Sequence, residues 1–332
     1  MASAHRGGSI NVLARYRRGA DVLDLSEWAP PKNTPSGFRL TPLLAEGLPN
    51  MIFGDGGVGK SMVALWLSTM VTEGMQEPFE CSPGNVLYLD WEMEAEEAQG
   101  RLRRIAEGMG LPTPPRVFYR RCAGRLVDDV EWLAETVESK GIDLVVVDSA
   151  VPACGGNPNE PESVQALFYG LRQLEVTSLI VAHVSKNTAD GPVTTPYGSV
   201  FWSNLSRNVW QAQKEQELGE DSMVVSLWHR KTNVGPLLKP VSLKMAFSPS
   251  FSVEKVATVE RPVLTSKPPL AEQMAKKLED GAMSSSALAE AIGANHDSVR
   301  RTLTRRDDRF VRVGEGKWGL LVAREYVSEA GQ

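Results

Sequence analysis

Between an apolar run, Met51-Ile52-Phe53, and a helix-like run from Met62 to Val71 lies Gly54-Asp55-Gly56-Gly57-Val58-Gly59-Lys60-Ser61, which satisfies G-x-x-x-x-G-K-[ST] at every fixed position. No other stretch limits the fold so tightly. Strand, glycine-rich loop and helix in that order gather backbone N–H groups and the positive end of a helix at one point. Lys60 adds a mobile charge there and Ser61 a hydroxyl for Mg²⁺. The expectation is that Gly54 to Met62 holds the phosphates of a nucleoside triphosphate, ATP with Mg²⁺.

What surrounds that loop is bounded by composition. A chain of 332 residues exceeds one typical domain, and 42% apolar with 23% charged residues is ordinary for a soluble globular protein. No run approaches the roughly 18 uncharged apolar residues of a membrane span, and the N-terminal Met1-Ala2-Ser3-Ala4-His5-Arg6 lacks the apolar core of a secretion signal. A cytoplasmic protein with no membrane partner is expected. Cys81, Cys122 and Cys154 are far apart and show no C-x-x-C spacing, so they read as buried small hydrophobes, not a disulfide frame or a zinc site. The formal charge of -5 excludes a globally basic nucleic-acid coat but leaves room for local patches.

Along the chain, residues 1–37 carry a basic cluster and a Pro-rich stretch with little periodicity, and read as a partly ordered lead-in. From residue 38 to 257 short apolar runs alternate with amphipathic ones. Asn85 to Asp90, Val117 to Tyr119, Asp143 to Asp148 and Val176 to His183 read as strands, and about 94–108, 126–139 and 161–174 as helices. That spacing predicts right-handed strand-helix-strand units and an α/β domain with a mostly parallel sheet. Three later runs, Val209 to Ala212, Met223 to His229 and Val241 to Met245, are expected as hairpins extending the sheet edge. Residues 258–269 are Pro-containing and read as a linker. Residues 270–326 then predict three helices (Leu270 to Asp280, Ser284 to Ile292, His296 to Arg306) and a hairpin (Phe310 to Val313, Trp318 to Val322), the outline of a small winged helix-turn-helix domain.

Hydrolysis of a bound triphosphate needs Mg²⁺ at the β- and γ-phosphates, a group that orients water, and cations that absorb transition-state charge. Asp148 closes the most apolar strand, where a carboxylate would hold Mg²⁺ together with Ser61. Glu92, just past the strand ending at Asp90, is the candidate for polarising water, with Asp90 as its rival or helper. His183 ends another apolar strand, at the sheet edge where α/β folds bind ligands.

Together with Tyr88-Leu89-Asp90-Trp91-Glu92-Met93, Ala182-His183-Val184-Ser185-Lys186, Gly198-Ser199, Asn204-Leu205-Ser206-Arg207 and His229-Arg230-Lys231-Thr232-Asn233, these motifs resemble the RecA-like ATPases over about residues 38–255. Within that group the resemblance is to the RepA-type hexameric replicative helicases, and more distantly to DnaB helicases. It implies ATP hydrolysis in a hexameric homo-oligomer, with Glu92 as catalytic base and His183 as the sensor. Arg207 would reach a neighbour's nucleotide, and Arg230 or Lys231 would approach the γ-phosphate from across the interface. Asn233 stands where DnaB proteins carry the Arg of Lys-x-Arg, which shifts that role toward Arg207. Loops near Lys186 to Gly198 would line a channel for single-stranded DNA.

The C-terminal residues carry their own charge signal. Val299 and Leu303 lie four apart and face inward, while Arg300, Arg301, Arg305, Arg306, Arg309, Arg312 and Lys317 outnumber Asp297, Asp307, Asp308 and Glu315. Such a helix and wing suit duplex DNA, contacted through Arg300, Arg301, Arg305, Arg306 and Lys317; a protein-docking module is the alternative. The whole reads as a DNA-dependent ATPase, a helicase or helicase-like motor of phage or plasmid replication or recombination. An ATP-gated DNA-binding regulator without unwinding is the alternative.

Overall fold

The computed structural model describes residues 37–184, 196, 198–217, 219–248, 250–258, 270–305, 309–314 and 316–321, with 24, 26 and 27 as isolated positions. Most of the predicted lead-in, most of the Lys186 to Gly198 loop, most of the linker, Arg306 and residues 322–326 lie outside that set. The chain divides into two compact units between Val259 and Glu260.

The first unit opens with β1 (Phe38–Leu40) and β2 (Leu44–Ala45), a two-stranded ribbon too short for sequence periodicity to signal. Then come β3 (Pro49–Gly54), α1 (Lys60–Glu73), β4 (Asn85–Asp90), α2 (Ala95–Gly108), β5 (Val117–Arg121), a 3₁₀ turn at Leu126–Asp129, α3 (Val130–Lys140) and β6 (Ile142–Asp148). After these follow α4 (Ala150–Cys154), α5 (Pro161–Gln173), β7 (Thr177–His183), α6 (Phe201–Leu205), β8 (Asn208–Glu215), β9 (Ser222–Thr232), β10 (Val241–Ala246) and β11 (Ser252–Val256). Nine strands form one sheet in the order β11-β10-β9-β8-β3-β7-β6-β4-β5.

From β8 to β5 neighbouring strands are parallel, and β9, β10 and β11 extend the sheet as an antiparallel meander. The α/β, mostly parallel architecture expected from the alternating runs is therefore present. One placement differs. The Val209 to Ala212 run forms the first of the expected hairpins, antiparallel to β9, but on its other side it lies parallel to β3 inside the sheet, and the edge itself is β11. A run of apolar residues gives no direction, and β8 earns its interior place by covering the other side of β3.

Apolar layers cover both faces of the sheet, one built on α1 and the meander and the other on α3, α5 and the turns around β6 and β7. α1 is buried nearly all round, so its sequence shows no polar stripe. It ends at Gly74, whose left-handed backbone sends its N–H to the carbonyls of Met70 and Val71. The three cysteines are free and buried.

Register matters most for function. β3 pairs with β7 so that Gly54 meets His183, and β4 pairs with β6 so that Asp90 meets Asp148. The ends of four adjacent parallel strands thus line up on one edge, where ligands of α/β sheets bind.

The second unit contains α7 (Leu270–Leu278), β12 (Met283–Ser284), α8 (Ser285–Ile292), α9 (His296–Arg305), β13 (Phe310–Arg312) and β14 (Lys317–Leu320), with sheet order β12-β14-β13. Its core joins Met274, Leu278, Leu288, Val299, Leu303 and Phe310. Val299 and Leu303 point inward as their spacing predicts. The two-residue strand β12, paired with β14, has no signature in the sequence.

Candidate active site

At the carboxyl edge of the sheet the backbone turns from β3 into α1 through the glycine loop. Gly59 sits at φ 94, left-handed, and any Cβ there would come within 2.7 Å of the Met223 methyl, so both backbone and neighbour demand glycine. Above the loop opens a cleft of 630 Å³ lined by Gly57, Gly59, Lys60, Ser61, Met62, Glu92 and His183 among others. The sequence-chosen residues of loop and strand ends therefore meet in one place.

Their contacts form a chain. The Lys60 ammonium donates to the carbonyl oxygens of Gly54 at 3.0 Å and Asp55 at 2.7 Å, and lies 3.5 Å from Nδ1 of His183. Across the ring, His183 Nε2 is 3.5 Å from Glu92 Oε1, which also accepts a 2.5 Å bond from the Ser149 hydroxyl. These donors, His183 first and then Ser149, hold the Glu92 carboxyl down to about 2 against the opposing effect of burial. Burial lowers the pKa of Lys60, opposed by Asp148, Glu92 and Asp55.

Asp148, 2% exposed, ends β6 with a cis peptide bond to Ser149. Its Oδ2 accepts a 2.7 Å bond from the Tyr88 hydroxyl, and its Oδ1 is buried with no protein hydrogen-bond partner. Burial raises the pKa of this carboxyl, against the pull of the Tyr88 and Ser61 hydroxyls. A desolvated carboxylate oxygen left open beside the P-loop serine fits Mg²⁺, a hard cation that takes one or two carboxylates and completes its shell with phosphate oxygens and water. Ser61 and Asp148 are the residues that would hold it. Mg²⁺ supplies charge neutralisation between the phosphates; the chain's own groups place and polarise.

Asp90 has a different task from Glu92. Its Oδ1 accepts the backbone N–H groups of Glu92 at 2.8 Å and Met93 at 2.9 Å, which folds the turn that carries Glu92. Asp90 is thus turned to its own backbone and away from the role of a cleft-facing acid. Its carboxyl is buried and its pKa raised by that burial, while Glu92 is half-exposed toward the cleft, where water can reach it. A carboxylate 3.5 Å from a histidine and open to solvent can orient a water for in-line attack.

Arg207 and Lys231 are elsewhere. The Arg207 N–H donates to Pro49 O at 2.8 Å, at the start of β3, so a whole strand of six residues, roughly 16 Å at about 3.3 Å per residue, separates it from Gly54. Lys231 lies at the same end, opposite Val209. Its ammonium donates to the carbonyls of Ser203, Asn204 and Ser206 at 2.8–2.9 Å, closing the end of α6. Burial, then the Arg207 charge, lowers its pKa. Arg230 is turned toward Gln211 Oε1 at 2.8 Å.

Residues the sequence did not single out also shape the site: Tyr88 behind Asp148, and Glu97, Arg101, Arg104, Lys214, Gln216, Met223, Phe247 and Phe251 on the cleft wall. Only Arg101 and Arg104 left a trace, as cations on the face of α2 that follows Glu92.

In the second unit Arg300, Arg301, Thr304 and Arg305, with Asp297, line one shallow groove along α9, and all three arginines are exposed. Lys317 is exposed on β14, opposite Ser284.

The sequence profile of the AAA_25 family, an AAA domain, matches residues 20–189, just over half of the chain. The chain belongs to that family. The matched region contains the glycine loop Gly54 to Ser61 together with Glu92, Asp148 and His183, so the cleft is that of a P-loop ATPase domain. Among the curated proteins none matches. Among solved structures, the KaiC-like protein PH0186 of the hyperthermophilic archaeon Pyrococcus horikoshii OT3 is similar at 14% identity and a TM-score of 0.47, covering 68% of this chain and 100% of that one. Among the described residues no helix is long and apolar enough to cross a membrane.

Proposed function

We propose that this chain is a DNA-dependent ATPase that assembles into a ring, of the RepA-type helicase kind, and hydrolyses ATP with Mg²⁺ at the seams between subunits. The observation that carries this reading is the position of Arg207. It stands at the opposite end of β3 from the phosphate loop, and among the described residues its guanidinium has no hydrogen-bond or ion-pair partner. A cation that cannot reach its own site and, among the described residues, has no counter-charge bonded to it suits a triphosphate presented by a second copy. Such an arginine accelerates phosphoryl transfer on the order of 10³-fold or more, and hydrolysis then depends on assembly.

Lys231 supports the arrangement from behind. Bound to three carbonyls, it anchors α6 and with it the turn that presents Arg207, so the reading gives the reacting role to Arg207 and a positioning role to Lys231. In the same reading, the C-terminal unit is a winged helix that grips duplex DNA through Arg300, Arg301, Arg305 and Lys317, and single-stranded DNA passes through the ring. The test mixes Arg207→Ala chains with Lys60→Ala chains, each inactive alone. Mixed assemblies regain phosphate release, because an intact P-loop then meets an intact arginine; mixtures as inactive as their components would remove the trans role.

The arginine groove of α9 favours a second reading, an ATP-gated DNA-binding regulator that does not separate strands. A forked-duplex unwinding assay decides between the two. Removal of residues 262–332 lowers duplex affinity under either reading; undiminished affinity would leave that unit as a protein-docking module.

A further inference from the structure

The cleft has two ends with different chemistry. Glu92 follows β4 in the turn capped by Asp90, and Asp148 and His183 end β6 and β7, all on one side of β3 in the sheet. On the other side, the strands from β8 to β11 and their turns contribute Lys214, Gln216, Met223, Phe247 and Phe251 to the same cavity. A triphosphate whose terminal phosphate lies at Glu92 can extend its other end toward these residues.

Phe247 is 42% exposed, although it sits beside a largely buried neighbour, Phe251, with ring centroids 5.7 Å apart and planes at 55°. Its backbone N–H donates to Asp221 O at 2.8 Å. At the end of α2 a Cβ on Gly108 would stand 1.3 Å from the Phe251 carbonyl oxygen, so helix and turn touch backbone to backbone. A part-exposed aromatic ring, with Met62 and Met223 lining the same cavity, has a face available for stacking. Lys214 and Gln216 supply polar groups at that side.

We propose that this end of the cleft is a nucleobase subsite in which Phe247 stacks on the base. The proposal rests on the reading of Gly54 to Ser61 as a triphosphate loop. Stacking on an aromatic side chain tolerates any base and is worth about tenfold or more in affinity, so the subsite adds affinity for nucleotides over bare polyphosphates.

Calorimetric titration of the full chain in Mg²⁺ with a non-hydrolysable ATP analogue and with inorganic tripolyphosphate tests it. The natural sequence binds the analogue at least tenfold more tightly than tripolyphosphate. Phe247→Ala loses about tenfold for the analogue and nothing for tripolyphosphate, whereas Phe247→Tyr keeps both affinities; melting curves confirm that each variant is folded. Equal losses for both ligands, no loss for either, or equal affinities in the unsubstituted protein would overturn the subsite. If the folded protein bound neither ligand, the phosphate-loop reading itself would fall, and the subsite with it.

Discussion

The two ends of the large sheet treat charge in opposite ways. At the carboxyl edge the central groups of the site are tied in series: Ser149 to Glu92, Glu92 to His183, His183 to Lys60, Lys60 to the carbonyls of its own loop. At the amino edge Lys231 is spent on three carbonyls while Arg207 beside it is left uncompensated among the described residues. The contrast separates a coupled network, where one change is felt by all members, from an edge where one cation is bound and holds in place the turn of the other.

The sharpest way to break that contrast is Lys60→Ala. It takes away the charge at the centre of the network, and phosphate release should fall on the order of 10³-fold; full turnover would show that the network is ornamental. Lys231→Met should act at the other edge as a loss of stability. Three charge-assisted bonds go, and the midpoint of urea unfolding should drop by an amount equivalent to about 2 kcal/mol, with nucleotide affinity unchanged. A changed affinity with unchanged stability would contradict the anchoring role of Lys231.

Tyr88→Phe probes the network from behind. The ring stays and the bond to Asp148 Oδ2 goes, which costs about 1 kcal/mol, so roughly fivefold more Mg²⁺ should be needed for binding of a fluorescent ATP analogue. An unaltered Mg²⁺ requirement would reduce Tyr88 to a packing residue.

The smallest effect concerns pH. Glu92 has its carboxyl held from 4.5 down to about 2, chiefly by His183. A depressed carboxyl adds stability above its unfolded value, and that contribution is lost as pH falls from about 4.5 through about 2. Replacing His183 by Gln should raise the Glu92 midpoint, followed by carbon NMR of the side chain, and should flatten the loss of stability over that window. A midpoint that does not move would mean that Ser149 alone holds the acid.

The carboxyl edge was largely legible in the sequence because its residues are loop and strand-end residues in recognisable runs: Gly54 to Ser61, Glu92 after β4, Asp148 at the end of β6, His183 at the end of β7. Strand ends carry little positional freedom once a run is apolar enough to be buried. The amino edge was not legible in the same way. Nothing in Arg207 or Lys231 says at which end of the sheet it falls, because that depends on β8 running parallel beside β3.

Tyr88 reads as a strand core residue until the β4–β6 register brings its hydroxyl to Asp148. Phe247, Phe251 and Met223 look like ordinary meander residues, since their place on the cleft wall comes from contacts across more than a hundred positions. In the C-terminal unit helices and core were readable from 3.6-residue periodicity, whereas the two-residue β12 is too short to repeat.

The contact of Gly108 with the Phe251 carbonyl joins the early half of the ATPase unit to its last hairpin. A ligand resting on both walls would make opening of that join part of its own release, so occupancy should slow amide exchange in β11 and the end of α2 together, and the rim of the sheet would report on the state of its centre.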